Sequence, residues 1–207
     1  MMGFCYEMRS EPNHVVDYEQ WHNKQAEHKW KAGSMKQYLR WIDTQTTGNR
    51  NDVTPLFAQI DSFNALVADL AACVEGVPLD LVACIDALGF ILGTAIAQKL
   101  NVGILALRKS RKLPVEVDRI DFRDYSGLDK QLEIRRDILC PGQNVLVVDE
   151  WIETGAQVSA AIALIEGQGA TVAGIATINM DVNQQTRRIA SKYKIWSVMD
   201  DKGSHSS

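Results

Sequence analysis

The sequence has no basic excess. Its 207 residues carry 22 Lys and Arg against 26 Asp and Glu, a formal net charge of −4. A broad basic face for nucleic acid is therefore not expected, which leaves room only for a local basic cluster suited to one phosphorylated ligand. Long apolar runs are also missing. The opening stretch MMGFCYEMRSEPNH has none, and the most apolar region, Leu79 to Ala97, is broken by Asp80 and Asp86. No membrane span and no secretory segment are expected. There are only four cysteines, Cys5, Cys73, Cys84 and Cys140, without metal-type spacing. They read as free thiols in a reducing cytoplasm, with Cys73 and Cys84 as small buried hydrophobes inside apolar runs. His14, His22 and His28 fit no familiar metal pattern, and no internal repeat is evident.

What remains is an ordinary globular composition, 46% apolar and 23% charged. At roughly 100–200 residues per domain, this length predicts one domain with a small appendage. The appendage is N-terminal. Tyr6, Tyr18, Trp21, Trp30, Tyr38 and Trp41 lie there, six of the ten Trp and Tyr residues of the chain. Ser34 and Gln37 resemble a capping box, and Met35, Tyr38, Leu39 and Ile42 follow helical spacing. Residues 1–49 are thus expected to form a helical hood, 50–200 a core, and 201–207 a disordered tail. The polar run from Thr44 to Asp52 reads as a loop.

From Asp61 onward helix and strand signals alternate. Helices are predicted over Ser62–Glu75, Gly89–Leu100, Gln157–Gln168 and Asn183–Lys192. Strands are predicted over Leu79–Ile85, Val102–Leu107, Lys130–Arg135, Asn144–Asp149, Thr171–Met180 and Lys194–Met199, while Arg108–Ser126 reads as charged and irregular. This order implies an α/β fold, a parallel sheet with helices on both faces.

The informative stretch is VLVVDEWIETGAQVSAA, Val145 to Ala161. An apolar strand ends in two acids, Asp149 and Glu150, and a short loop with Thr154 and Gly155 leads into a helix. Ligands of open parallel sheets bind beyond the carboxyl ends of the strands. Loop N–H groups and a helix N-terminus there suit an anion, whereas the acids suit sugar hydroxyls or Mg²⁺. The local chemistry points to a sugar phosphate; an acidic turn before a helix start is the plainer alternative.

This stretch resembles the phosphoribosyl pyrophosphate (PRPP) motif of type I phosphoribosyltransferases. The resemblance extends to the adenine branch of that family through VACIDALGF (Val82 to Phe90), RKSRKLP (Arg108 to Pro114), LEIRRDILCPGQNVLVVDE (Leu132 to Glu150) and RNDVTP (Arg50 to Pro55). It implies a type I phosphoribosyltransferase-like core under an N-terminal hood, a homodimer, and Mg²⁺-dependent transfer of ribose 5-phosphate from PRPP to a purine or purine-like base. It further implies that Asp149 and Glu150 hold the ribose hydroxyls and meet Mg²⁺ only through PRPP. Glu153, Thr154, Gly155, Ala156 and Gln157 would wrap the 5′-phosphate. Asp86, Ala87 and Leu88 would meet the pyrophosphate together with Arg108, Lys109 and Lys112, in family dimers often across the interface. Asp124 and Tyr125 match the acid-Tyr pair of the family's mobile loop, and Arg50 and Asn51 fall at the base-binding positions.

The sequence departs from the family pattern at several of these places. Leu88 stands where the family has a pyrophosphate-binding Arg, and Ala87 where it has Ser. Ala156 replaces the second Gly of the phosphate loop and Gln157 its final Thr. If position 156 needed positive φ, Ala would cost on the order of 1 kcal/mol. Arg50 takes the place of a stacking Phe, which the hood aromatics are candidates to replace. Glu153 is an added carboxylate, suited to act as a base on the acceptor or on water. Two other functions fit the same fold: a repurposed enzyme using another sugar-phosphate donor or hydrolysing a nucleotide, and a ligand sensor without turnover.

Overall fold

The computed structural model describes residues 36–47, 51–123 and 127–199. The expected hood (apart from 36–47), Arg50, the Asp124–Tyr125 pair and the tail lie outside the described residues.

Leu81–Ile85 (β1) and Asn144–Val148 (β5) form the centre of the molecule. Both are short, nearly unbroken apolar runs, and such runs suit strands buried on both faces. They pair in parallel, Leu81 opposite Val145 through Cys84 opposite Val148. Gly103–Lys109 (β2) adds in parallel beside β1. Thr171–Thr177 (β7) and Ile195–Ser197 (β9) extend the parallel sheet beyond β5.

The other end of the sheet departs from the expected parallel arrangement. Asp129–Arg135 (β4) runs antiparallel to β2, and Val117–Arg123 (β3) pairs antiparallel with β4 over seven residues. The seven-stranded order is β3-β4-β2-β1-β5-β7-β9. Within the segment read as irregular, β3 is therefore regular. It is the edge strand, so it can carry Asp118, Arg119, Asp121 and Arg123 at little cost, and that charge hides the strand pattern. A separate two-stranded pair joins Trp151–Ile152 (β6) to Asn179–Met180 (β8).

Helices cover both faces. Thr54–Phe57 (α1), Ile60–Cys73 (α2) and Leu88–Leu100 (α3) lie on the side of Val82, Cys84, Leu146 and Val148. Ala156–Gly167 (α4) packs on Ala83, Ile85, Val145 and Val147, and Gln184–Ala190 (α5) adds Ile189 to the same core. The helical spacing of Tyr38, Leu39 and Ile42 corresponds to a five-residue 3-10 helix, Gln37–Trp41, rather than to an α-helix. Its Tyr38 is buried in the α2–α3 core and donates its hydroxyl to Asp69 Oδ2 at 2.6 Å. Asp43 bridges to Asp52 and so closes the expected 44–52 loop at its base.

Among the described residues no helix is long and apolar enough to cross a membrane. Cys84 and Cys140 are free, the first buried and the second exposed; Cys73, expected to be buried, is exposed at the end of α2. Cys84 lies beneath Gly93 of α3, where any side chain would collide with its sulfur. Burial there pushes the thiol up to about 12. At pH 8 on the order of one Cys84 in ten thousand is then a thiolate, the reactive form. Iodoacetamide should therefore label Cys73 and Cys140 in the native protein and Cys84 only after denaturation, as read by peptide mass spectrometry. Labelling of Cys84 at a rate near that of Cys140 would contradict this packing.

Candidate functional site

A cavity of about 530 Å³ opens beyond the carboxyl ends of β1 and β5. The strands deliver its chemistry. β5 ends in Asp149 and Glu150, only 6% and 7% exposed, and both line the cavity. Burial pushes the Asp149 carboxyl well above its usual range, and the charge of Glu150 beside it pushes in the same direction. Lys109 and the Glu150 backbone N–H, at 3.1 Å from Asp149 Oδ1, pull the other way and are outweighed. Gln157 Nε2 also donates to Asp149 Oδ2, at 3.4 Å. The two carboxyl groups also share a side-chain hydrogen bond, and their remaining acceptor positions suit hydroxyl donors.

Opposite the acids, α3 comes unusually close. A Cβ on Gly89 would stand 2.9 Å from the Val148 carbonyl oxygen and 3.2 Å from Asp149 Oδ1. Glycine at this position is what lets the β1–α3 turn, Asp86, Ala87 and Leu88, reach the same cavity. The Asp86–Ala87 peptide is cis. Asp86 is largely buried and accepts Arg108 Nε at 3.3 Å, and the Arg108 guanidinium lies over the Phe90 ring.

The loop after the acids is shaped by Gly155. It has φ of 79°, and a side chain there would meet Ile189 Cδ1 at 2.9 Å, so both backbone and space require glycine. Thr154 Oγ1 accepts the Ala156 N–H at 3.2 Å, and α4 begins at once. Ala156 is the first helical residue and lacks positive φ, so the absence of a second glycine costs the backbone nothing. The first-turn N–H groups have no partner within a helix and, with the helix dipole, make this end of α4 favourable to an anion. Asn183 Nδ2 pins the loop from the far side, donating to the Glu153 carbonyl at 2.7 Å, and Glu153 lines the cavity.

Of the residues expected from sequence, Asn51, Asp86, Ala87, Leu88 and Lys109 share this cavity with Asp149, Glu150, Glu153, Thr154, Gly155 and Gln157. Arg108, Lys112 and Ala156 do not line it. Strand alternation separates Arg108 from Lys109: neighbours on β2 point to opposite faces. Lys112 sits in a turn beyond β2 that Glu133 holds from the opposite face. Glu133 is fully buried and accepts the N–H groups of Arg111, Lys112 and Leu113 at 2.8–3.1 Å, with Arg119 Nε at 3.3 Å. Burial raises its carboxyl, but these donors prevail and hold it below the usual range.

Several wall residues escaped sequence reasoning: Asp52, Phe122, Lys130 and Trp151. Trp151 is fixed by its Nε1, which donates to Asp181 Oδ1 at 3.1 Å. The usable signal for Lys130 was its place at the end of an alternating row, Lys130, Leu132, Ile134. Among the described residues no group of three or more His, Cys, Asp or Glu side chains is arranged to hold a metal by itself.

Comparison with known proteins agrees with this architecture. The family model described as "Phosphoribosyl transferase domain" matches residues 61–206. An adenine phosphoribosyltransferase of Corynebacterium jeikeium is 42% identical over 129 residues, which cover 61% of this chain and 62% of that one. One from Roseiflexus sp. is 35% identical over 72% of this chain and 86% of its own length. Among solved structures, the adenine phosphoribosyltransferase of Thermoanaerobacter pseudethanolicus superposes with a TM-score of 0.73 at 29% identity, covering 80% of this chain and 98% of that one. The APRTase of Giardia lamblia, solved with 9-deazaadenine, gives 0.68 at 28% identity over 76% and 90%. A mixed sheet with a parallel centre, an acid pair at the end of β5, a glycine-turned loop into α4 and a family domain over most of its length together make this chain a member of the phosphoribosyltransferase family, of the type I kind that resembles adenine phosphoribosyltransferases.

Proposed function

We propose that this chain transfers the ribose 5-phosphate group from PRPP to adenine or a close purine relative, in a Mg²⁺-dependent reaction. One observation carries the reading. The buried pair Asp149–Glu150 and the loop opening α4 face one cavity, which is the arrangement a ribose diol and its 5′-phosphate require. Adenine is the acceptor suggested by the relatives' names and by the 9-deazaadenine in the Giardia lamblia structure.

In this reading Asp149 and Glu150 accept the two ribose hydroxyls, which relieves their mutual burial. Thr154, Gly155 and Gln157 hold the 5′-phosphate with the first-turn N–H groups of α4. Asp86 and Lys109, which line the same cavity, meet the diphosphate. Mg²⁺, bound through the substrate, would neutralise charge on the departing diphosphate. As the bond between sugar carbon and diphosphate oxygen breaks, a ring nitrogen of the base bonds to that carbon, and its proton passes to Glu153. Trp151 and Phe122 offer aromatic faces to the base, a role for which the sequence alone suggested the hood.

The protein is further proposed to act as a homodimer in the cytoplasm, where its exposed thiols stay reduced. Ile91 and Ile104, 48% and 53% exposed, give a second copy an apolar surface to cover. Arg111 and Lys112, turned away from their own cavity, would then be available to the partner's.

A second reading is favoured by Leu88, which lines the cavity where the family carries Arg. It has Glu153 activating water on another phosphorylated sugar. Phosphorus NMR with Mg²⁺ and PRPP separates the two. The proposal expects PRPP to persist alone and to release pyrophosphate when adenine is added, with AMP as the product. Consumption without a base supports hydrolysis, and no consumption under either condition contradicts transfer. Glu153→Ala should lower kcat with adenine about 100-fold while changing the KM for PRPP less than threefold. Wild-type turnover in that variant would remove Glu153 from proton transfer.

A further inference from the structure

The rows of side chains on the α4 face of the sheet end in charge at the cavity. On β2 the row is Leu105, Leu107 and Lys109, and on β4 it is Ile134, Leu132 and Lys130. The leucines and Ile134 are buried in one core. Lys109 lies directly opposite Leu132, and Phe122 of β3 lies opposite Lys130. Opposed residues of an antiparallel pair project to the same face, so Lys109 and Lys130 are diagonal neighbours on one face. Both line the cavity, beside Asp86 and Leu88.

Among the described residues, positive charge in that part of the site has few other sources. Leu88 offers no donor. Arg108 projects to the opposite face and is engaged with Asp86 at 3.3 Å. A polyanion set between two ammonium groups is attracted by both. A lysine is a mobile point charge on a long stem, well matched to a diphosphate that carries several acceptor oxygens.

We propose that Lys130 binds the diphosphate of the donor, closing on it with Lys109 and supplying the charge that Leu88 does not. This rests on the PRPP reading above. It places a donor-binding residue on β4, outside every motif that carries the family resemblance. The lost arginine is then compensated from a neighbouring strand, and the cavity remains a diphosphate site.

The test is calorimetric binding of PRPP with Mg²⁺, and separately of AMP, to the wild type and to the Lys130→Met and Lys130→Arg variants, with thermal melts of all three. Lys130→Met should weaken PRPP about tenfold to a hundredfold, the range of a charge-assisted contact, and change AMP affinity less than threefold. Lys130→Arg should keep PRPP within about fivefold of the wild type. Adding Leu88→Arg to Lys130→Met should recover part of the loss. Unchanged PRPP affinity in Lys130→Met overturns the proposal, as does an equal loss for PRPP and AMP. A wild type that binds AMP but not PRPP overturns the donor reading itself, and this inference with it.

Discussion

Asp149 and Glu150 lie side by side at the end of a buried strand, only 6% and 7% exposed. Burying one carboxylate is costly, and burying two adjacent ones adds repulsion to desolvation. The surrounding structure follows from this arrangement. Gly89 brings the start of α3 to within contact of Asp149, Gln157 reaches back from α4, and Gly155 turns the chain so that α4 can start beside the pair. Each device closes the space around the acids while leaving one side open to the cavity. The fold thus holds a buried acid pair that opens onto the cavity, and the β1–β5 pairing is what keeps it in place.

A second constraint is the alternation of side chains along β2 and β4. It sorts the basic segment into two functions. Lys109 continues the apolar row and reaches the cavity, whereas Arg108 faces the other way and meets Asp86 from beyond the strand end. Glu133 sits on that opposite side and gathers three consecutive N–H groups from the turn at 111–113. A buried carboxylate with four donors is stable as the anion, so its support of this turn is present above the unfolded carboxylate range and is lost as pH falls through its lowered value. The turn and the lysine row are therefore fixed by opposite faces of the same strand.

Much of this was legible in the sequence because it is written in local pattern. The apolar runs of β1 and β5 and the VLVVDEWIETGA stretch gave the central strands and the acid pair directly. Three features were not legible, each for a physical reason. β3 is an edge strand whose charges mask its period, so the sheet's antiparallel end was invisible. The helical state of Ala156 depends on where Gly155 turns, which no residue count supplies. The cavity roles of Lys130, Phe122 and Trp151 depend on strand register and on the β6–β8 pairing, both set by contacts distant in sequence. Resemblance located Arg108 and Lys112 within the right segment, yet only the pairing of β2 with β4 tells which side chains of that segment face inward.

The central claim is that the acid pair is maintained at a cost to the fold and relieved by the ligand. Asp149→Asn tests it most directly, through thermal unfolding between pH 5 and 8 with and without AMP. Because the folded carboxyl titrates above its unfolded value, the wild type should lose stability as pH rises through the folded value, and the variant should lose less. The account predicts a variant with a higher Tm than the wild type at pH 8 and little or no further rise when AMP is added. A variant that melts lower than the wild type at pH 8, or that AMP stabilises as strongly, would contradict it.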